Sequence, residues 1–101
     1  MYLATRGRRT GQPREIEIWF THRLGRFYII AEHPTSHWVE NIRAHPEVKV
    51  RVAGQEFSAH ARFPAKDGER ELLAEVQALS QQKYGWSDGL VVEIVPDQSI
   101  S

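Results

Sequence analysis

The sequence predicts a mainly β domain of the α+β class, a small antiparallel barrel of six strands with two helices on its outside. Several short segments alternate apolar and polar residues with a period of two, and turn residues separate them at short intervals. Only two segments have the apolar spacing of an amphipathic helix. A six-stranded sheet in 101 residues closes most economically on itself, because closure removes exposed edges. We expect one domain over residues 1–101, with a polar tail at 97–101.

The first three strands are predicted before the first helix. Residues 2–5 form a short strand, and residues 14–20 form a second one with isoleucines and a phenylalanine on one face. Residues 22–25 are predicted to be a turn. Residues 27–31 are apolar on both faces, which is typical of a strand in the middle of a sheet.

The second half of the chain contains both helices and three more strands. A short helix is predicted at 37–44, and a β-hairpin at 48–52 and 57–63, where valine, alanine and phenylalanine alternate with polar residues. A second helix is expected from an Asp67 cap to about residue 83, ending at a glycine. The last strand is predicted at 90–95.

The composition excludes several classes of function. The 13 Lys and Arg balance the 13 Asp and Glu, so the chain has no general basic character and is not expected to bind nucleic acid. Without cysteine there are no disulfides, thiol nucleophiles or Cys-zinc sites. No apolar run approaches the ~20 residues that span a membrane, and no signal peptide is visible. We therefore expect a cytoplasmic protein.

The most informative segment is the arginine loop, residues 5–14. It contains four arginines, two glycines and one proline, and no acidic residue. A guanidinium binds phosphate or carboxylate bidentately, and glycines allow backbone N–H groups to form a concave nest around an anion. The candidate ligands of a phosphorylated cofactor are Arg8, Arg9, Thr10 and Arg14. The alternative is a solvated hairpin loop that is merely basic.

The predicted first helix carries a second candidate contact. Trp38 and Asn41 lie three residues apart and so share a helix face near the helix N-terminus, where an anion is stabilised. This arrangement favours a second contact to the cofactor. Alternatively, Trp38 is an anchor in the core and Asn41 is a surface amide.

The end of the predicted second helix contains two aromatic residues. Tyr84 and Trp86 either line an apolar pocket or cap the barrel. His33 and His37 flank a proline and have no carboxylate at a metal-ligand spacing, so no metal site is predicted. The chain lacks a Gly-x-Ser-x-Gly elbow and a phosphate-loop Gly-Lys-Thr, so it does not support a hydrolase or a kinase.

Taken in order, these motifs resemble a known family. Residues 5–14 are similar to the Thr-x-Gly-Arg-x-Ser/Thr-Gly-x-Pro-Arg element of the deazaflavin-dependent nitroreductase family. Residues 18–20, 38–48 and 83–84 resemble later elements of the same family in the same order. The resemblance covers residues 3–95.

The resemblance implies a split β-barrel of the FMN-binding, flavin-reductase-like type and an oxidoreductase that uses the deazaflavin coenzyme F420. Arg8, Arg9, Thr10 and Arg14 would contact the phosphate, polyglutamate tail or ring of the coenzyme. The cofactor wall would be completed by Trp38 and Asn41, with Tyr84 on the substrate side. The coenzyme performs the hydride chemistry, so no acid–base constellation is required of the protein.

The expected activity is hydride transfer from F420 to a planar, electron-poor acceptor such as a quinone, a nitroaromatic compound or an activated alkene. Two alternatives remain. One is an FMN-binding split-barrel protein, and the other is a non-catalytic module whose basic loop holds an anionic cofactor, a nucleic acid or an acidic partner. Two copies that share a face would complete a shallow site, so a homodimer is also expected.

Overall fold

The structure is a computed structural model and describes residues 1–86 and 88–97. The predicted polar tail therefore lies, apart from Asp97, outside the described residues. Within these two ranges, neither helix has the length and hydropathy needed to cross a membrane.

Seven strands and two helices make up the described chain. They are β1 (Tyr2–Arg6), β2 (Pro13–Glu17), β3 (Thr21–Arg23), β4 (Arg26–Ala31), α1 (His37–Ala44), β5 (Glu47–Val52), β6 (Gln55–Arg62), α2 (Arg70–Tyr84) and β7 (Leu90–Pro96). All strands belong to one antiparallel sheet in the order β2-β1-β5-β6-β7-β4-β3. The mainly β class is confirmed. The barrel is open, since β2 and β3 are the two ends of this order.

The described part of the chain has seven strands and not the predicted six, because residues 14–25 form parts of two strands where one strand and a turn were predicted. The strand predicted at 14–20 ends at Glu17, and the segment predicted to be a turn, 22–25, contains most of β3. The turn itself is only Leu24 and Gly25. Both have positive φ, 50° and 77°, which matches the tight turn that joins twisted antiparallel strands. The apolar alternation continues past the break, so the sequence pattern did not reveal it.

A single core fills the concave side of the sheet. Its buried members are Leu3, Phe27, Ile29, Ile42, Val48, Val50, Ala59, Ala61, Val92 and Ile94. They come from five strands and from α1, so the sheet must curl to bring them into one cluster. A smaller cluster of Tyr28, Val76 and Val91 packs α2 against β4 and β7. The curled sheet with two peripheral helices agrees with the predicted architecture, except that the sheet stays open between β2 and β3 instead of closing on itself.

The two helices agree unequally with their predictions. The bounds of α1 are those predicted, and α2 ends next to Gly85 as expected. However, α2 begins at Arg70 and not directly after Asp67. The carboxylate of Glu69, at the N-cap position, accepts hydrogen bonds from the Arg62 guanidinium at 2.7 Å and the Ala65 N–H at 2.8 Å. These bonds hold the preceding turn outside the helix.

A buried carboxylate joins three neighbouring strands. Glu93 on β7 is 0% exposed and lies opposite Tyr28 on β4 and Arg62 on β6 in the sheet register. It accepts hydrogen bonds from the Tyr28 hydroxyl at 2.8 Å, from Arg62 Nε at 2.7 Å and from Arg26 Nη1 at 3.2 Å. The ionised carboxylate is thus hydrogen-bonded by three donors, as burial of a charge requires.

This network predicts a loss of stability in alkali. Burial, reinforced by the Glu93 carboxylate, raises the pKa of Tyr28 above its ordinary value of 10. Above about pH 10 the unfolded chain therefore loses this proton first, so the free energy of unfolding falls as pH rises, by at most about 1.4 kcal/mol per pH unit for one group. Urea denaturation between pH 8 and 11 should show a shallower fall for Tyr28→Phe than for the wild type. Equal slopes for the two proteins would contradict the prediction.

Candidate functional site

Two cavities lie on either side of Trp38, which lines both. The arginine cavity has a volume of about 680 Å³ and is lined by Thr5, Gly7, Arg8, Arg9, Thr10, Arg14, Ile16, His37, Trp38 and Asn41. The aromatic cavity has a volume of about 620 Å³ and is lined by Glu17, Ile18, Trp19, Phe20, Thr21, Tyr28, Ile30, Ala31, Glu32, His33, Ser36, Trp38, Ser80, Tyr84 and Trp86.

The arginine cavity contains all six residues predicted to bind a cofactor. They are Arg8, Arg9, Thr10, Arg14, Trp38 and Asn41. The β1–β2 hairpin explains this proximity, because the pairing of its strands returns Arg14 to the side of the loop, and α1 packs against β1. Among the described residues, three guanidinium groups and no carboxylate line the cavity. The cavity is therefore strongly positive in a protein of zero net charge. The binding of a cofactor by these six residues stays a prediction.

Part of the backbone of the arginine loop is not available for the anion nest that the glycines suggested. Four of its N–H groups donate within the protein: Gly7 to Gln12 O at 2.8 Å, Arg8 to Asn41 Oδ1 at 3.2 Å, Gly11 to Gly7 O at 2.8 Å and Gln12 to Thr10 Oγ1 at 3.3 Å. These bonds make the loop compact and order it.

Thr10 keeps a proton for a ligand. Its hydroxyl oxygen accepts the Gln12 N–H, and the hydroxyl proton is not used in that bond. Thr10 can therefore donate beside the three arginines.

The fold of the loop also favours glycine at position 7, because a Cβ on Gly7 would lie 3.1 Å from both Gln12 O and Thr10 Oγ1.

Asn41 contacts Arg8 through its amide oxygen and Thr5 through its amide nitrogen. The side chain is 5% exposed, and Oδ1 accepts from the backbone N of Arg8 at 3.2 Å and from Nη1 at 3.1 Å. Its Nδ2 donates to Thr5 Oγ1 at 3.2 Å. Sequence analysis predicted a direct cofactor contact for Asn41, but the structure engages its amide with the protein.

The aromatic cavity contains Tyr84, predicted on the substrate side. Its ring stacks on Trp19, with centroids 4.6 Å apart and planes inclined by 7°. Its hydroxyl donates to Phe20 O at 2.8 Å and accepts from Phe20 N–H at 3.1 Å. The phenol proton is committed to the backbone, so the ring is the part of Tyr84 that meets the cavity. Lys83 also donates to Phe20 O, at 3.0 Å, which strengthens the attachment of α2 to the β2–β3 connection.

Sequence reasoning missed two residues of these cavities. Trp19, which is 61% exposed, was placed in a predicted strand and in the family resemblance at 18–20 but was given no role in binding, although an exposed tryptophan is a signal of a binding surface. His37 was considered only as a metal ligand, yet its Nδ1 lies 3.4 Å from Arg8 Nη2. Among residues 1–86 and 88–97 no group of three or more His, Asp or Glu side chains is arranged to hold a metal ion.

Solved structures with the same fold share little sequence with this chain. A FAD-binding protein from Mesorhizobium loti is 18% identical with a TM-score of 0.71, over 96% of this chain and 80% of that one. An F420-H2 dependent reductase is 20% identical with a TM-score of 0.64, over 92% and 90%. A structure described as a domain-swapped dimer is 19% identical with a TM-score of 0.65, over 92% and 77%. At these identities the likeness establishes the fold alone.

The family is established by the sequence match, which is independent of those structures. Residues 1–89 match the family described as F420H(2)-dependent quinone reductase, and this range includes both β1–β2 and α1 with all the predicted cofactor residues. The match confirms the expected family of deazaflavin-dependent reductases and the oxidoreductase class. The chain belongs to the F420H2-dependent quinone reductase family.

Proposed function

We propose that the arginine cavity holds the anionic groups of F420 and that the aromatic cavity receives a planar, electron-poor acceptor, which is reduced by hydride. The observation that carries this proposal is that a positive cavity and an aromatic cavity meet at one residue, Trp38. A coenzyme held by its anionic groups on one side of Trp38 would thus be next to an acceptor bound on the other side.

The chemistry of the arginine cavity fits such a coenzyme. Phosphate and carboxylate groups are recognised best by guanidinium forks, and Arg8, Arg9 and Arg14 provide three of them. Thr10 adds a hydroxyl donor. The lining contains no carboxylate that would repel an anion.

The aromatic cavity fits a planar acceptor for a different reason. Its wall includes the stacked pair Trp19 and Tyr84 together with Trp38 and Trp86. Aromatic side chains bind flat apolar rings by offset stacking and exclude water from them. A quinone, a nitroaromatic compound and an activated alkene conjugated to a ring all present such a face.

The protein's own contribution to the reaction is binding and orientation. F420 supplies the hydride when it is bound. Trp38 forms a common wall, and the arginines anchor the charged end. Within this proposal Tyr84 is an aromatic wall on the acceptor side and not a proton donor, because its hydroxyl proton is committed to Phe20.

The proposal is tested by titrating the protein with F420 and following the coenzyme's fluorescence. We expect saturable binding with Kd well below 1 mM, the value that corresponds to about −4 kcal/mol. Reduced F420 should then be oxidised on addition of a naphthoquinone, followed by absorbance. Absence of binding up to millimolar coenzyme would remove the proposal. Tight binding without reduction of any acceptor class would support the non-catalytic module instead.

FMN is the second candidate, because it too combines a phosphate with a planar ring. It is supported by the structure of the FAD-binding protein that shares the fold. Competition decides between the two coenzymes. Displacement of F420 by equimolar FMN, or yellow protein that releases FMN on denaturation, would favour FMN.

Arg14→Ala is expected to weaken F420 binding about 5- to 150-fold. Arg14 is the second residue of β2 and lines the arginine cavity, so the change removes a charged hydrogen bond to the coenzyme worth about 1–3 kcal/mol. The same fluorescence titration measures the effect. Arg51→Ala is the matched control, because Arg51 pairs with Glu15 outside both cavities and its loss should leave Kd unchanged. An unaltered Kd for Arg14→Ala would exclude Arg14 from the binding site.

A homodimer and a cytoplasmic location complete the proposal. The dimer is supported by the similar structure described as a domain-swapped dimer and by cavities that lie open at the surface. Sedimentation at several protein concentrations measures the assembly. A monomer at every concentration would remove this part of the proposal alone.

A further inference from the structure

We infer that Asn41 is a positioning residue that fixes Arg8 for anion binding, and that Thr5 anchors the Asn41 side chain. The inference deepens the proposed function and rests on it for the identity of the coenzyme. It assigns the two buried polar side chains of the arginine cavity a role that is distinct from direct ligand contact.

The orientation of the Asn41 amide follows from its partners. Oδ1 receives two N–H donors of Arg8, the backbone N–H and Nη1–H, while Nδ2 faces the hydroxyl oxygen of Thr5. A flipped amide would oppose its NH₂ group to the two N–H donors of Arg8, whereas the Thr5 hydroxyl can either donate or accept, so the orientation of the amide is set by Arg8. Thr5 is only 1% exposed, so water does not replace these bonds cheaply.

The consequence for Arg8 is a side chain held in place before a ligand arrives. An arginine that is free in solvent samples many rotamers, and binding an anion must order them. The bonds from Asn41 hold both the main chain and the guanidinium of Arg8. A bond to Nη1 still leaves Nε and further N–H groups of the guanidinium as donors. Arg8 therefore loses less conformational entropy when it binds an anion than a free arginine side chain would.

Arg8 differs from its neighbours in this respect. Arg9 and Arg14 line the same cavity and are exposed, whereas Arg8 is half-buried and tied to α1. Because the anchoring acts through Arg8, removing Asn41 should matter for anion affinity only while Arg8 is present. A purely structural Asn41 would instead lower affinity by the same factor in either background.

A double-mutant cycle separates these two cases. Asn41→Ala, Arg8→Ala and the double variant are titrated with F420 alongside the wild type. We expect Asn41→Ala to weaken binding about tenfold in the wild-type background and less than twofold in the Arg8→Ala background. Equal factors in both backgrounds, or an unchanged Kd for Asn41→Ala, would overturn the inference.

Thr5 provides a second test that survives if Asn41→Ala does not fold. Thr5→Ser keeps the hydroxyl acceptor for Nδ2, and Thr5→Val replaces it with a methyl group of similar size. Thr5→Ser should retain the wild-type Kd, while Thr5→Val should weaken binding several-fold, again only when Arg8 is present. Equal affinities of the two variants would contradict the role of Thr5.

Inorganic tripolyphosphate distinguishes failure of this inference from failure of the proposed function. The same proteins are titrated with it by calorimetry, which requires no coenzyme. Coupling between Asn41 and Arg8 towards tripolyphosphate, without F420 binding, would support the positioning role and remove the F420 proposal. If F420 binds but the effects of Asn41→Ala and Arg8→Ala on affinity are additive, the F420 proposal is supported and the positioning role is removed. A wild type that binds neither F420 nor tripolyphosphate would overturn both.

Discussion

Replacing Gly89 with alanine is expected to lower the free energy of unfolding by about 3–5 kcal/mol. Gly89 precedes β7 and has φ of 139°, a conformation that L-residues rarely adopt and that costs about 1–3 kcal/mol. A Cβ there would also overlap the carbonyl oxygen of Ala31 and lie 2.9 Å from both Ala31 C and Ile30 Cγ2. The carbonyl is fixed in the sheet, so the overlap adds an overpacking cost of about 1–3 kcal/mol. Urea or thermal denaturation measures the sum.

Two other glycines separate strain from overlap. Gly54 has φ of 77° but nothing within 4 Å of an added Cβ, so Gly54→Ala should report strain alone, about 1 kcal/mol. Gly68 has open space and no positive φ, so Gly68→Ala should be close to neutral. A loss for Gly89→Ala no larger than that for Gly54→Ala would show that the chain can move away from Ala31 at little cost.

Glu93→Ala is expected to destabilise the protein by about 2–4 kcal/mol. The change leaves the buried Tyr28 hydroxyl without its acceptor, at about 1–3 kcal/mol, and opens a void in a central strand. The loss falls in the lower part of the range for a fully buried ion pair, about 3–5 kcal/mol, or below it, because the Arg26 and Arg62 side chains are 48% and 42% exposed and can be hydrated. Chemical denaturation gives the value.

A surface glutamate provides the matched control for Glu93. Glu15 also accepts a hydrogen bond from an arginine, Arg51 Nη2 at 3.0 Å, but both side chains are 49% exposed. Its replacement by alanine should cost no more than about 1 kcal/mol. If the two alanine variants lost equal stability, the network around Glu93 would contribute no more than a surface ion pair.

The fold could be predicted to the extent that local patterns determine it. Apolar alternation located the sheet strands, and α1 was bounded correctly because prolines stand on both sides of it. The division of residues 14–25 into two strands could not be read, since Ile18 and Phe20 continue the alternation across the break. Where the chain leaves one strand partner and joins another depends on tertiary pairing, here of Thr21 with Tyr28.

The candidate site could likewise be predicted only in part. The arginines could be recognised because they are neighbours in sequence and have no nearby acids. The hydrogen bonds between Asn41 and Arg8, and the stacking of Trp19 on Tyr84, join segments that are distant in sequence. Such contacts depend on how each helix docks on the sheet. Helix periodicity alone placed Asn41 on the face that lines the arginine cavity but could not show its hydrogen bonds to Arg8.

The open sheet has two unpaired borders, and both discourage fibril growth. β2, at one border, begins with Pro13, which has no N–H to offer an incoming chain, and it carries the like charges of Glu15 and Glu17. β3, at the other, is only three residues long. Each border therefore offers few backbone N–H and C=O groups to which a strand of another chain could hydrogen-bond. Copies of the chain that associate must exchange a segment already within the sheet or meet through side-chain surfaces, and continuous polymerisation along a border is disfavoured.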